Sequence, residues 1–187
     1  MKTKNIILGL FSATLTFSFS GCEMFEPGLD NTYGEERVIE DASYAVGLLM
    51  KAYSGLPTGY NFSEVATDDA VTNNKSSQYI KMISGGWSSL YDPMSTWNSS
   101  YEAIAYLNKL LSLADVIEWS PDSEERDKLQ HDNITGEAYA LRAYYHFQAL
   151  MAHGGKSNSG SMLGIPYLTG MANPENENTW NLVRPPY

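Results

Sequence analysis

Two long stretches of helical periodicity restrict this chain to a helical fold more than any other feature of its sequence. Within residues 95–117, apolar side chains recur at steps of three or four and share one helix face: Trp97, Tyr101, Ile104, Leu107, Leu111 and Ala114. The second stretch covers residues 121–153. Because only a short turn connects them, we expect the two helices to pack as an antiparallel pair.

Capping signals give the expected boundaries of the second helix. Ser120 followed by Pro121 is typical of a cap and a first helical position, since proline there lacks an N–H group that would have no partner. Gly154 and Gly155 are expected to end the helix. Residues 132–136, which end in a glycine, form the predicted weak point inside it.

An earlier helix is predicted over residues 41–53, where apolar residues again follow helical spacing. Either Asp41 or Ser43 can cap its start, and Gly55 follows its end. Residues 58–89 show no long period and are predicted to form loops and short turns. The predicted fold class is therefore all-α, with helical pairs and long loops.

The stretch GEAYALRAYYHFQALMAHGG contains three residues that could take part in chemistry, namely Glu137, Arg142 and His146. On a helix it presents two apolar faces, formed by Ala138, Leu141, Tyr145 and Ala149 and by Ala140, Tyr144, Phe147 and Met151. A helix that is apolar around much of its circumference is buried between neighbours. We therefore interpret it as a buried scaffold helix, with Glu137 and Arg142 each bonded to a neighbouring helix or backbone group.

The spacing of the polar residues does not support catalysis or metal binding, so we predict no catalytic residue and no metal ligand. His146 and His153 are seven positions apart, whereas zinc-binding pairs on helices use a spacing of about three or four. Asp68 and Asp69 are chain neighbours with diverging side chains, whereas a retaining glycosidase needs facing carboxyls about 5–5.5 Å apart. The adjacent pair at 124–125 fits an acidic first helical turn.

The loop region between the predicted helices holds a candidate set of ligand-binding residues: Asp68, Asp69, Asn73 and Trp87. An indole ring offers an apolar face to a sugar, while carboxylate and amide groups hydrogen-bond hydroxyls. The set therefore suits a neutral polar ligand such as a glycan. A solvated loop with one core tryptophan is the alternative interpretation.

The N-terminus resembles a lipoprotein leader. Lys2 and Lys4 precede an uncharged, largely apolar run that is too short to span a membrane but fits a signal peptide. The run ends in Phe-Ser-Gly before Cys22, similar to a bacterial lipobox, although the phenylalanine departs from the commoner aliphatic residue. We predict a signal peptide over 1–21, lipidation at Cys22 and a tether over 22–40. A leftover thiol after an ordinary signal peptide is the alternative.

Charge excludes one class of partner. The formal net charge is −10, and it becomes −12 without residues 1–21, which carry two lysines and no acidic residue. Nucleic-acid binding requires clustered Lys and Arg, which this chain lacks, so no nucleic-acid partner is predicted. The negative charge also means that anionic headgroups would not attract the protein, and acyl chains would hold it at a membrane.

Taken in order, four stretches resemble the SusD/RagB family of Bacteroidetes outer-membrane lipoproteins. They are the lipobox at Cys22, FSEVATDDA, TWNSSYEAIAYLNKLL, and GEAYALRAYYHFQALMAHGG followed by GIPYL. The last is the most specific, although His153 stands where the family usually has tyrosine or phenylalanine before the glycine. Because the tail after it is loop-like and family members are several hundred residues long, we interpret residues 41–187 as an incomplete, N-terminal part of a SusD-like fold.

The resemblance implies tetratricopeptide-like helical pairs and a function without catalysis or cofactor. Family members are anchored at the cell surface of the outer membrane, where they lie over a TonB-dependent, SusC-like transporter and capture glycans before import. A helical adaptor without glycan binding and a surface glycoside hydrolase are the alternatives.

Overall fold

The computed structural model describes residues 34–59, 62–88, 90–173, 175–179 and 182–186. Cys22, the predicted signal peptide and the first part of the predicted tether lie outside the described residues. Within the described ranges, five α-helices follow in chain order: α1 (Glu35–Glu40), α2 (Ala42–Ser54), α3 (Gln78–Ile83), α4 (Trp97–Leu113) and α5 (Glu124–His153). Short 3₁₀ helices occupy Phe62–Ala66, Ala114–Val116 and Glu177–Thr179. The predicted all-α class is confirmed.

The only regular strands among the described residues form a small hairpin after α5. Strand β1 (Gly155–Lys156) pairs antiparallel with β2 (Met162–Leu163), with Gly155 opposite Leu163. A single antiparallel bridge then joins Leu163 to Pro186. The hairpin turns the chain back along α5 and so delivers the following loop to the helical core.

The core lies between α2, α4 and α5, which all contact one another. Its buried members include Ala52 and Leu110, which the periodicity did not assign to an apolar face, together with residues of the predicted apolar faces: Ala45, Leu49, Ile104, Leu107, Ala114, Ala138, Leu141 and Tyr145. Full burial of one leucine or isoleucine side chain contributes about 1.5–3 kcal/mol. The apolar face predicted for residues 95–117 is thus the face that holds the three helices together.

Helix α5 starts later than predicted, and it is continuous through the predicted weak point. Its N-cap is Ser123, whose hydroxyl accepts a bond from the Arg126 N–H, so the prediction of Ser120 and Pro121 was wrong. Ser120 instead belongs to a turn, where its N–H donates to the Asp127 carboxylate at 2.9 Å and its carbonyl accepts from Ser123. The expected acidic first turn at 124–125 is present.

Asp41 and Ser43 were the two candidates for the N-cap of α2, and the structure distinguishes them. Asp41 adopts an extended conformation and its carboxylate accepts a bond from the Ser43 N–H at 2.9 Å. These hydrogen bonds lower the pKa of the Asp41 carboxyl. Asp41 is therefore the cap, and Ser43 is the residue whose backbone it satisfies.

Two expectations for the helices were wrong. Helix α5 is buried on one apolar face only: Phe147 is 56% exposed and Met151 64% exposed on the other. Both α2 and α4 pack against α5, whereas on the second face Tyr144 is partly buried against the core and Phe147 borders a cavity lined by Ile165 and Tyr167. In the loop region, a helix of six residues, α3, was not predicted because it is too short to show a period.

The last residues of the predicted tether are helical. Helix α1 packs against α2, and Glu35 forms a 2.9 Å ion pair with Lys109 of α4. In the described ranges, none of the helices has the combination of length and apolar character needed to cross a membrane.

Candidate functional site

The four predicted ligand-binding residues all lie between α2 and α4, and all four are exposed. Asp68 and Asp69 occupy a bend directly after the 3₁₀ helix Phe62–Ala66, which packs against α3. Asn73 precedes α3 and Trp87 follows it. We call this region the loop face. Its four residues share no hydrogen bond with one another. They therefore lie in the same region but do not form one connected site.

Trp87 presents the main apolar surface of the loop face. The side chain is 60% exposed, and none of the described residues stacks on its ring. It is therefore not a core tryptophan, which removes one part of the alternative interpretation. An exposed indole ring without a partner in this part of the chain is available to the apolar face of a ligand.

A small turn next to Trp87 adds a second aromatic group, Tyr91, to the loop face. Ser88 and Tyr91 exchange two backbone hydrogen bonds of 3.0 Å, which closes a tight turn. The Lys81 ammonium group lies 3.9 Å from the centre of the Tyr91 ring. This cation–π contact fixes the Tyr91 ring against α3, and Trp87 is the more exposed of the two aromatic residues.

A second region is built around residues 164–170, which we call the strap. The strap lies against α4 and α5, and polar side chains from both helices bind its backbone. From α4, the Tyr101 hydroxyl donates to the Pro166 carbonyl at 2.7 Å. Asn108, which is 4% exposed, donates from its amide to the carbonyls of Leu168 and Gly170 at 3.2 and 3.0 Å. Burial raises the pKa of Tyr101 to about 12, so its hydroxyl keeps the proton that it donates.

Arg142 and His146 bind the strap from α5. The Arg142 guanidinium donates to the Asn108 side-chain oxygen at 2.8 Å and to the Thr169 carbonyl at 3.0 Å. His146 Nδ1 lies 2.8 Å from the Arg142 carbonyl, and Nε2 accepts from the Leu168 N–H at 3.2 Å. Burial lowers the pKa of His146. Four side chains from two helices thus bind the backbone of one loop: Tyr101, Asn108, Arg142 and His146.

Glu137 is also engaged in packing. The Tyr53 hydroxyl on α2 donates to the Glu137 carboxylate at 2.8 Å, and this bond raises the pKa of the tyrosine. The expectation that Glu137 and Arg142 each bond to a neighbouring helix or backbone group is confirmed. With His146 bound to the strap, all three potential chemical groups of this stretch have structural partners.

A cavity of about 310 Å³, bordered by His146 and Phe147 of α5, adjoins the first half of the strap. Two others adjoin its second half. One of about 560 Å³ is lined by strap residues together with Met171, Thr179, Val183 and Pro185. Another of about 310 Å³ lies between the strap and α4, where Tyr101, Ile104 and Asn108 contribute. None of the four predicted ligand residues lines either cavity. The polar groups of Tyr101 and Asn108 are already bonded to the strap, which leaves mainly apolar walls.

The remaining histidines bind neighbouring parts of the fold. His153 Nε2 accepts from the Thr96 N–H at 3.2 Å. His131 lies between the carboxylates of Asp115 and Asp132, each 3.1 Å from one ring nitrogen. These contacts raise the pKa of His131. Among the residues that the structure describes, no group of three or more His, Cys, Asp or Glu side chains is arranged to hold a metal ion.

Asn108 and the strap were missed as a functional unit by sequence reasoning. Asn108 occupies a position in line with the apolar face of Tyr101, Ile104 and Leu111. A polar residue within an otherwise apolar helical stripe signals a buried hydrogen bond, and this signal could have been used. The carbonyl partners of Asn108 could not have been identified from the sequence, because they belong to the backbone of a loop some sixty residues away.

Comparison with known proteins gives one match. A family model named SusD-like_3, described as "Starch-binding associating with outer membrane", matches residues 34–185. The match includes α1–α5, the loop face and the strap. No curated protein and no solved structure matches significantly.

Proposed function

Because this chain belongs to the SusD-like family, whose members are described as starch-binding and associating with the outer membrane, we propose that it binds glycans at the outer membrane. In this proposal it is a cell-surface lipoprotein that captures an oligosaccharide or polysaccharide and delivers it to a TonB-dependent, SusC-like transporter. It acts by binding, without catalysis and without a cofactor. The observation that carries the proposal is the family match over nearly all of the described residues.

The chemistry of the loop face supports glycan binding. Trp87 offers an exposed ring, and the carboxylates of Asp68 and Asp69 and the amide of Asn73 are exposed within the same region. Sugars combine apolar C–H faces with hydroxyl groups, so a stacking ring with nearby hydrogen-bonding groups matches both. We assign ligand contact to these four residues, with Trp87 as the main contributor.

Substitution of Trp87 tests this assignment. Trp87→Ala should weaken glycan binding by about tenfold, the effect of losing an aromatic contact worth about 1.4 kcal/mol. Phe147→Ala is the matched control, because Phe147 is similarly exposed but lies on α5 away from the loop face. Affinity electrophoresis in polysaccharide gels compares the two variants with the wild type. Equal retardation of Trp87→Ala and the wild type would remove Trp87 from the site.

Anchoring is proposed to occur through Cys22 after removal of residues 1–21, with the residues from Cys22 to the start of α1 as a tether. Several acyl chains make such an anchor stable, since each buried methylene contributes about 0.8 kcal/mol. Mass spectrometry of the membrane-extracted protein should show an acyl modification that Cys22→Ala removes. An unchanged lipid mass in the variant contradicts this anchor.

Delivery to a transporter is the part of the proposal that depends most on the family. We expect a SusC-like transporter to be encoded beside this chain and to co-purify with it from detergent-solubilised outer membranes. Co-purification without retardation by any polysaccharide would favour a helical adaptor. Release of soluble sugars from a polysaccharide by the purified chain would favour a glycoside hydrolase, and we expect no such products.

A further inference from the structure

The hydrogen bonds of His146 show which of its two ring nitrogens carries the proton. Nδ1 faces the Arg142 carbonyl at 2.8 Å, and a carbonyl oxygen can only accept, so Nδ1 holds the hydrogen. Nε2 faces the Leu168 N–H at 3.2 Å, and an N–H group can only donate, so Nε2 holds none. Both bonds exist together only in the neutral imidazole with the proton on Nδ1.

We propose that His146 makes the strap an acid-sensitive latch: the strap is held closed over α4 and α5 while His146 is neutral and loosens when it is protonated. Protonation places a hydrogen on Nε2 directly opposite the Leu168 N–H. Two donors then face each other and the bond is lost. Asn108 and Arg142 still bind neighbouring carbonyls of the strap, so the change is a loosening and not a complete release.

Among the described residues, the group that favours the charged form of His146 is the Arg142 carbonyl, which accepts from Nδ1, and burial together with the nearby Arg142 charge outweighs it. From α4, the Tyr101 ring lies edge-on with its centre 6.5 Å from the imidazole centre, and from the strap the Tyr167 ring lies at 4.6 Å. From α5 itself, the charged group is Arg142, one helical turn away. A second positive charge at this spacing on a helix is destabilising. No carboxylate in the described residues contributes to the pKa of His146, which burial lowers.

The sign of the effect follows from this direction. Because the pKa of His146 is lower in the folded protein than in the unfolded chain, its contribution to stability is complete above about pH 6.5. That contribution is lost as the pH falls through the folded-state pKa. His131 has the opposite sign, because its raised pKa makes the protonated form the stabilising one. The pH dependence of global unfolding therefore combines the opposite contributions of His146 and His131. The latch has to be tested by a measurement at the strap itself.

His153 provides an internal comparison. Its Nε2 also accepts from a backbone N–H group, that of Thr96, and the Ser95 hydroxyl lies 3.4 Å from the same nitrogen. His146 has no such hydroxyl among the described residues. Because the His153 ring binds the backbone at Thr96 and the His146 ring binds the strap at Leu168, substitution of His153 should leave the acid response of the strap unchanged.

Opening of the latch changes the two cavities beside the second half of the strap. Leu168 and Gly170 line both of them, and their backbone atoms are the ones that His146 and Asn108 bind. Movement of these residues widens the cavity that Tyr101, Ile104 and Asn108 of α4 already line. Acidification thus enlarges this mainly apolar cavity.

Amide hydrogen exchange of the intact chain tests the latch. We expect the protection factor of the Leu168 amide to fall by about tenfold between about pH 7.5 and about pH 4.5, corrected for the intrinsic pH dependence of exchange. His146→Gln retains an acceptor for Leu168 but does not titrate, so its strap should keep the same protection at both pH values. In His153→Gln the acid response of the strap should remain.

Nuclear magnetic resonance of the wild type tests the latch even if the His146→Gln variant does not fold. The imidazole nitrogens of His146 and the Leu168 amide should titrate with the same midpoint, below that of a model histidine. Protonation of His146 without a loss of Leu168 protection would overturn the proposal. An equal acid response in a folded His146→Gln variant would overturn it as well.

Discussion

Replacing Asn108 by alanine should destabilise this protein more than any other single change of a polar residue in α4. The buried side chain donates to the Leu168 and Gly170 carbonyls and accepts from the Arg142 guanidinium. Each neutral hydrogen bond contributes about 1 kcal/mol and the charge-assisted bond about 2 kcal/mol. Water can reach Gly170, which is exposed, and will recover part of this loss. The expected decrease in the free energy of unfolding is therefore about 2–4 kcal/mol.

Urea unfolding of the wild type and Asn108→Ala measures this decrease directly. Asn98→Ala is the matched control, since Asn98 is an exposed asparagine of the same helix without a hydrogen-bonded side-chain partner in the described residues. Its free energy of unfolding should stay within about 0.5 kcal/mol of the wild type. A change below about 0.5 kcal/mol in Asn108→Ala as well would refute the role assigned to the network.

A double-mutant cycle with Arg142→Ala examines the bond between the two side chains. Residues that share a hydrogen-bond network show coupling energies of about 0.5–3 kcal/mol. We expect about 1–2 kcal/mol here, because the bond involves a charged donor and is partly buried. Additive effects of the two substitutions would mean that each binds the strap independently.

Two further predictions concern the packing of α5. Tyr145→Phe should lower the free energy of unfolding by only about 1 kcal/mol, because the Ala52 carbonyl that loses the buried hydroxyl still accepts from the N–H of Gly55, the C-cap of α2. Thermal unfolding measures this loss, and a value above about 3 kcal/mol would contradict the predicted role of the hydroxyl. His131→Gln should remove a contribution that is present below about pH 6.5 and declines as the pH rises through the raised pKa of His131, since both ring nitrogens donate to Asp115 and Asp132 only when protonated. The wild type should therefore lose more thermal stability than the variant between about pH 6 and about pH 9, and identical losses would refute this sign.

Helical periodicity predicted the parts of the fold in which one face of a long segment is buried. The stripe from Tyr101 to Ala114 and the face with Ala138 and Tyr145 both pack in the core as expected. Periodicity reports which residues share a face but not whether a neighbour covers it. The second apolar face of α5, with Phe147 and Met151, shows this limit.

The contacts of the strap could not be predicted in the same way. They join single side chains of α4 and α5 to backbone atoms of a loop that follows much later in the chain. Backbone carbonyls look the same in every sequence, so no residue pattern marks the acceptor. GIPYL was noted only as part of a family resemblance, whereas the structure shows its backbone bound by Tyr101, Asn108 and His146.

For the loop face, the region and the exposure of the candidate residues could be predicted from the sequence, but their contacts could not. The sequence placed Asp68, Asp69, Asn73 and Trp87 in one region, and the structure shows that all four are exposed there. Their assignment as ligand contacts stays a prediction. The cation–π contact between Lys81 and Tyr91 was not foreseen, because it depends on a short helix and a tight turn that have no periodic signature.

The most direct test of the account is affinity electrophoresis of the intact chain through gels that contain neutral polysaccharides, with amylopectin first because the family is described as starch-binding. We predict that at least one polysaccharide retards the wild type and that the retardation decreases with Trp87→Ala but not with Phe147→Ala. A wild-type protein that is folded and migrates at the same rate in every polysaccharide gel would contradict the proposal that this chain binds glycans.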